Sequence, residues 1–237
     1  MSATAPTAAR RLEQMLDRLH FRARSSLLLR YFATINRILL AIGFVPTAMV
    51  KILGQRFTTM GIDNPLGFFF EAMYRTGAWW QFIGWAQVTG GVLLLIPATS
   101  TLGAVIFFPI ILNIFIITVS LGFSGTPLIT GGMLLACLFL LCWDWHRLKP
   151  ILFANPAPVT LPVPVEGSPL ATRLERAGYA VSATGGMLVF LWTRFPIPRV
   201  LVLPSLGVGV VGAILLGASL VLHRRGQNPR VNLAPSP

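Results

Sequence analysis

The sequence predicts an all-α fold: a polytopic helical membrane protein in which a four-helix up-down bundle precedes two additional C-terminal transmembrane helices. Of its 237 residues, 54% are hydrophobic and only 11% are charged. A soluble domain carries about 25% charged residues, because a wet surface must cover its core. The basic residues lie mainly at the ends of apolar stretches, where they contact lipid head groups. This placement gives no reason to expect a nucleic-acid partner.

Six apolar stretches are long enough to cross a bilayer. They cover residues 31–53, 78–97, 101–121, 126–145, 177–193 and 200–222. Only residues 98–100 connect the second stretch to the third, so these two are predicted to be antiparallel neighbours. The fifth stretch is the shortest, and the predicted count of six depends most on it.

Composition divides the chain into four segments. Residues 1–30 predict a basic amphipathic helix on the membrane surface, because apolar residues recur there at helical spacing. A cytosolic helix packed on a partner is the alternative. Residues 31–149 hold the four-span bundle. The six prolines of residues 150–172 predict an extended linker, since proline density of this kind prevents a helix. Residues 173–237 then form a two-span hairpin with a basic tail.

The distribution of Lys and Arg predicts the orientation. With the N-terminus in the cytoplasm, 14 of the 19 basic residues lie on the inner side. Cytoplasmic loops carry such an excess, so both termini are predicted to be cytoplasmic and the number of spans even. The membrane is predicted to be the bacterial inner membrane.

Three polar residues inside the spans are the candidate ligand-binding residues: Lys51, Gln87 and Asn113. In one interpretation the two amides hydrogen-bond across helices, each bond contributing about 0.6 kcal/mol. In the other, the three residues line a pocket for a quinone head group or another amphipathic ligand. The first is favoured, because amides alone support no proton chemistry. Lys51 lies near the end of its span, which is typical of a lysine that extends its amine to the interface.

Other functional groups are predicted to be absent. No Asp or Glu lies in the middle of a predicted span, which disfavours a proton- or sodium-coupled transporter. The histidines His20, His146 and His223 map to the inner interface, so neither haem ligands nor a metal site is expected. No catalytic residue is predicted.

Two motifs predict anchoring and packing. The run Trp143-Asp144-Trp145-His146-Arg147 is typical of an aromatic and basic interfacial anchor, with head-group or partner binding as the alternative. Small residues at four-residue intervals in the last span allow another helix to approach closely. They are Ser205, Gly209, Ala213 and Gly217. Their partner is left open between the fifth span, the four-span unit and another protein.

Residues 37–149 resemble the DoxX family of small bacterial membrane proteins. The resembling runs are Arg37-Ile38-Leu39-Leu40-Ala41-Ile42-Gly43-Phe44, Val50-Lys51-Ile52-Leu53 and Thr89-Gly90-Gly91-Val92-Leu93-Leu94-Leu95-Ile96-Pro97. The resemblance implies a four-helix protein. It also implies association with quinone-linked redox systems or with thiol-stress responses. Many relatives carry an acid where this chain has Gln87, so the family's chemistry does not transfer directly.

The leading functional expectation is an accessory or structural subunit of a larger bacterial membrane complex for redox or electron transfer. A quinone is the cofactor left open. A DoxX-type quinone- or thiol-linked oxidoreductase is one alternative, and a carrier for a small lipophilic solute is another. Partner proteins in the membrane and anionic lipid head groups are the expected partners.

Overall fold

The computed structural model describes residues 8–153, 156–162, 168–194 and 198–226. These residues form nine α-helices and a short 3-10 helix, Arg199–Leu201, with no β-strand among them. The helices are α1 Ala8–Arg24, α2 Leu27–Ile52, α3 Pro65–Arg75, α4 Ala78–Leu95, α5 Ser100–Ser120, α6 Thr126–Trp143, α7 Trp145–Leu152, α8 Pro169–Arg194 and α9 Val202–Gly226. The all-α prediction is confirmed for the described part of the chain.

Four helices are long and apolar enough to cross a membrane: α2, α5, α6 and α9. They indicate a membrane protein. The predicted count of six spans is not confirmed, because α4 and α8 do not reach the same hydropathy. Two glutamines, Gln81 and Gln87, make α4 more polar, and Arg173, Glu175 and Arg176 lie in the first half of α8.

The predicted N-terminal helix divides where two serines interrupt it. α1 ends at Arg24 and α2 begins at Leu27, four residues before the predicted start of the first span. The Ser25 hydroxyl donates to the carbonyl of Phe21, and the Ser26 hydroxyl accepts from the backbone N–H of Leu29. Ser26 therefore caps the N-terminus of α2.

The chain divides into two compact units, which interleave along the sequence. One unit comprises residues 1–37 and 92–164. Within it α5 and α6 form an antiparallel hairpin, since the hydroxyls of Thr118 and Thr130 lie 2.9 Å apart near its closed end. Towards the other end, the Cys137 thiol lies 3.5 Å from the carbonyl oxygen of Ala104. The four segments predicted from composition stay a prediction.

The other unit comprises residues 38–91 and 165–237. Two glycines of α4 bring this helix close to α2. A Cβ at Gly84 would lie 2.9 Å from the carbonyl oxygen of Ala48, and one at Gly91 would lie 2.7 Å from the Val45 side chain. The contact is possible only because neither position carries a side chain.

In the same unit α8 and α9 pack tightly through small residues. Gly185 lies against the backbone of Gly209, where an added Cβ would also lie 3.0 Å from the carbonyl oxygen of Ser205. Gly212 lies in the same way against Ser182. The helix partner that the sequence left open is therefore α8.

The packing strip differs from the predicted one in its second half. Ala213 and Gly217 are exposed, whereas Ser205, Gly212 and Ser219 are buried at seven-residue spacing. Residues four apart advance by about 400° around a helix, so a run of them leaves the contact after two steps. A seven-residue spacing drifts by only about 20° and stays on one face.

Candidate functional site

Lys51 is buried in the second unit, with 8% of its surface exposed. Its amine lies 4.8 Å from the ring centre of Phe57 and 5.2 Å from that of Trp80. It also donates to the carbonyl oxygen of Thr47, at 3.3 Å. Two aromatic faces therefore hold the cation. This differs from the expectation of a lysine that extends its amine to the interface.

Gln87 is buried between the two glycines at which α4 approaches α2, with 1% of its surface exposed. Among the described residues, its amide oxygen has no hydrogen-bond donor. The interhelical bond that the sequence favours is therefore not made through this atom. Gln87 and Lys51 belong to the same unit, and Asn113 belongs to the other.

Asn113 is exposed on the surface of α5. It belongs to a stripe of exposed residues that recur every three or four positions, and we call this stripe the α5 stripe. Such spacing places residues on one helix face. The stripe consists of Leu102, Val105, Pro109, Asn113, Ile116 and Ser120. Pro109 has no N–H, so it also removes the helical hydrogen bond to the carbonyl of Val105. Asn113 thus does not line an enclosed polar pocket within its own unit.

Asp144 lies at the junction of α6 and α7 and is 4% exposed. Its carboxylate accepts hydrogen bonds from Thr101, at 2.7 Å, and from Ser100 and Arg37, each at 3.4 Å. Ser100 and Thr101 form the first turn of α5, where the helix dipole also favours a negative charge. The predicted anchor run therefore binds the protein's own helices through its aspartate.

Guanidinium groups surround this carboxylate. Arg147 donates to the Thr101 hydroxyl at 3.1 Å and to the carbonyl oxygen of Ala98 at 3.2 Å. Arg24 lies over the ring of Trp143, 4.8 Å from its centre. Burial lowers the pKa of Arg24, and the neighbouring arginines lower it further, against the attraction of Asp144. Three arginines, Arg24, Arg37 and Arg147, thus lie around the single buried carboxylate of Asp144.

His146, in α7, lies next to His20 of α1. Its ring centre lies 5.4 Å from that of His20. Burial lowers the pKa of both imidazoles, and the charge of Arg24 lowers them further. Both rings are therefore neutral at pH 7. The neutral His20 ring donates its Nε2–H to the carbonyl oxygen of Trp143, 3.1 Å away.

Lys149 connects α7 to α1, and its side chain is 1% exposed. Its amine lies 2.7 Å from a carboxylate oxygen of Glu13 and 2.7 Å from one of Asp17, and it donates to the carbonyl oxygen of Ala157 at 2.8 Å. Burial lowers the pKa of Lys149, but hydrogen bonds to Asp17 and Glu13 outweigh burial and raise it. The hydrogen bond from Lys149 lowers the pKa of Glu13.

The contacts of Lys149 show which face of α1 packs against the protein. One face carries Glu13, Asp17, His20 and Arg24, and each of these contacts residues 143–157. The apolar face stays exposed, as the 48% exposure of Leu12 and 53% exposure of Leu19 show. The sequence pattern identified the two faces of α1 but not the partner of the polar one. The signal was the pair Glu13 and Asp17, four residues apart and off the apolar stripe.

Comparison with known proteins identifies a relative of this chain. No family model matches the chain, and no solved structure matches it. The resemblance to the DoxX family therefore stays a prediction. The chain is 33% identical over 126 residues to a protein of Bacillus subtilis (strain 168) described as "Uncharacterized protein YwoB". The match covers 51% of this chain and 81% of that protein.

Proposed function

We propose that this chain, which belongs to the same family as the uncharacterized protein YwoB of Bacillus subtilis, is an accessory subunit of a larger complex in the bacterial inner membrane. The four apolar helices support the membrane location. The buried charges support a structural role, because Asp144 and Lys149 are bound by neighbouring helices of the same unit. These buried charges stabilise the packing of helices within the subunit, and the exposed helix faces are then the surfaces that a partner can contact.

The observation that carries the proposal is the exposed amide of Asn113. Asn113 lies about 5 Å from the midpoint of α5, at a rise of 1.5 Å per residue. Lipid tails offer no hydrogen-bond partner, and each unsatisfied polar group in hydrocarbon costs several kcal/mol. Asn side chains in membrane helices satisfy this requirement by hydrogen-bonding across to another helix. The α5 stripe is thus suited to a helix of a partner subunit.

The topology we propose keeps six spans. In this arrangement α4 and α8 are the two spans beyond the four apolar helices. α4 has 18 residues without a charge, which is sufficient to cross a bilayer with little tilt. α8 has 26 residues, so its first eight, through Arg176, lie at the inner surface while the remaining 18 cross. With this even number, both termini are cytoplasmic, in agreement with the excess of inner Lys and Arg.

The redox character of the complex rests on the resemblance of residues 37–149 to the DoxX family. A second candidate, a quinone-linked oxidoreductase, has one observation in its favour. The buried amide oxygen of Gln87 is an acceptor that the hydroxyl of a hydroquinone would satisfy. Specific binding of a hydroquinone to the purified chain would support this candidate. The solute-carrier alternative stays a prediction from the sequence.

The first test replaces Asn113 with leucine, which keeps the size and removes the amide. Purified in a mild detergent from cells that produce it, the unmodified chain should carry a partner in a fixed ratio. Asn113→Leu should retain about three- to tenfold less of that partner, as expected for an interhelical hydrogen bond of roughly 0.6–1.4 kcal/mol. The measurement is the partner-to-chain ratio after size-exclusion chromatography.

The matched control is Asn113→Gln, which keeps an amide at the same position and should retain more of the partner than Asn113→Leu. Recovery of the unmodified chain as a clean monomer in several mild detergents would count against an accessory subunit.

A further inference from the structure

A cavity of about 230 Å³ lies in the second unit, where the segment after α2 folds against α3. Its lining combines apolar side chains with two threonines, Thr58 and Thr59, and with a charged pair. The lining includes Phe57, Met60, Ile62 and Phe70, together with Arg56 and Glu71. Neither Lys51 nor Gln87 nor Asn113 lines it.

Local packing explains how the cavity forms. Gly67 in α3 admits the carbonyl group of Gly61, since an added Cβ would overlap that oxygen. The ring of Phe57 stacks on that of Phe70, with the ring centres 5.0 Å apart. The side chain of Asn64 accepts from the backbone N–H of Leu66 and caps α3. These contacts hold the segment in a bend around the empty space.

The charged end of the cavity is organised around Arg56. Its Nε and Nη2 donate to the two carboxylate oxygens of Glu71, at 2.8 and 3.1 Å, and its guanidinium lies over the ring of Tyr74. Arg75 donates to Glu71 as well, at 2.9 Å. Hydrogen bonds from Arg56 and then Arg75 lower the pKa of Glu71 to about 2. The carboxylate is thus ionised and shared between two cations.

Arg56 keeps N–H donors that its hydrogen bonds to Glu71 do not use. A guanidinium has five N–H donors in a fixed fork, and the bonds to Glu71 occupy two of them. Asp63 is the other acid of this segment, and it is exposed and outside the cavity lining. The charged end of the cavity therefore favours an anion.

We propose that this cavity binds a small anionic amphiphile, with its carboxylate or phosphate group on Arg56 and its apolar body against the stacked rings of Phe57 and Phe70. A volume of about 230 Å³ is smaller than the ~300–1,000 Å³ typical of ligand pockets, which limits the bound body to a short chain or a single ring. A free organic acid and the head group of an anionic lipid share this chemistry.

The test uses the full chain in nanodiscs of zwitterionic lipid, with octanoate, octanol and acetate as probes. Octanoate combines charge and apolar body, so it should bind most tightly by calorimetry. Arg56→Gln should weaken octanoate binding about tenfold or more, since it removes a charged hydrogen-bond donor. Arg56→Lys, which keeps the charge, should recover part of the affinity.

Arg75→Gln is the matched control, because Arg75 binds the same glutamate from outside the cavity. It should change octanoate binding by less than about threefold, which is the size of one exposed ion pair. Nanodiscs that contain phosphatidylglycerol separate the two sources. Competition with octanoate supports a lipid head group, and unchanged octanoate affinity supports a free acid. Equal binding of octanol and octanoate, or an Arg56→Gln variant that binds octanoate normally, would overturn the proposal.

Discussion

Lys149→Met should detach α1 from its unit, so that trypsin cleaves the arginines of α1 about tenfold faster than in the unmodified protein. The substitution keeps an aliphatic chain of similar length and removes the amine that contacts both Glu13 and Asp17. The two carboxylates would then be held close together without their shared cation, and like charges at that distance repel each other. The exposed apolar face of α1 gives no compensating contact within the described residues. The measurement is the rate of cleavage within residues 10–24 of the protein in detergent.

Lys149→Arg is the matched control, because it keeps the charge and should restore most of the protection. The two pKa shifts add a pH dependence to the same contact. The pKa of Glu13 is lowered, so its contribution is full above its ordinary value of 4.5 and is lost as the pH falls below that value. The pKa of Lys149 is raised, so its contribution is full below 10.5 and is lost as the pH rises further. Equal cleavage of α1 in Lys149→Met and in the unmodified protein would contradict this account.

Gly185→Val should separate α8 from α9 and lower the midpoint of thermal unfolding in detergent by roughly 5–10 °C. The side chain would overlap the backbone of Gly209 and lie against the carbonyl oxygen of Ser205, so the two helix axes would have to move apart. Overpacking of this kind costs about 1–3 kcal/mol, and more where backbone rather than a flexible side chain must shift. In a chain of this size, each kcal/mol lowers the unfolding midpoint by about 2–4 °C.

Gly217→Val in α9 is the matched control, because a Cβ added at Gly217 would meet no described atom within 4 Å beyond its chain neighbours and the adjoining turns of α9. That variant should unfold within about 1 °C of the unmodified protein. If both valine variants lowered the midpoint equally, helix propensity rather than the contact between α8 and α9 would explain the effect.

The sequence predicted helix bounds best where an apolar run lies between short connections. The second and third spans, predicted at 78–97 and 101–121, correspond to α4 Ala78–Leu95 and α5 Ser100–Ser120. The fifth, predicted at 177–193, belongs to a longer helix that begins at Pro169. Hydropathy reports which residues suit lipid, whereas a helix continues through charged residues as long as its backbone bonds are made. The start of α8 therefore could not be read from hydropathy.

The candidate site was harder to predict than the helices. The sequence identified the run from Trp143 to Arg147 as an interfacial anchor, but not its bonds to Ser100 and Thr101, which lie more than 40 residues away. It also predicted α1 as a basic amphipathic helix on the membrane surface, without identifying a contact for its polar face. In the structure that face is neutralised by Lys149 and packed against α7. Such pairing depends on the tertiary arrangement, which periodicity along one helix does not contain.

A photocrosslinking amino acid placed at Ile116 tests most directly whether the α5 stripe contacts a partner subunit. Ile116 is 54% exposed and lies next to Asn113 on the stripe, whereas Leu128 on α6 is 84% exposed and serves as the lipid-facing control. Irradiation of intact membranes should give one discrete adduct with a different protein at Ile116, weakened by Asn113→Leu, and none at Leu128. The absence of any adduct at Ile116, or an adduct of two copies of this chain alone, would contradict the account.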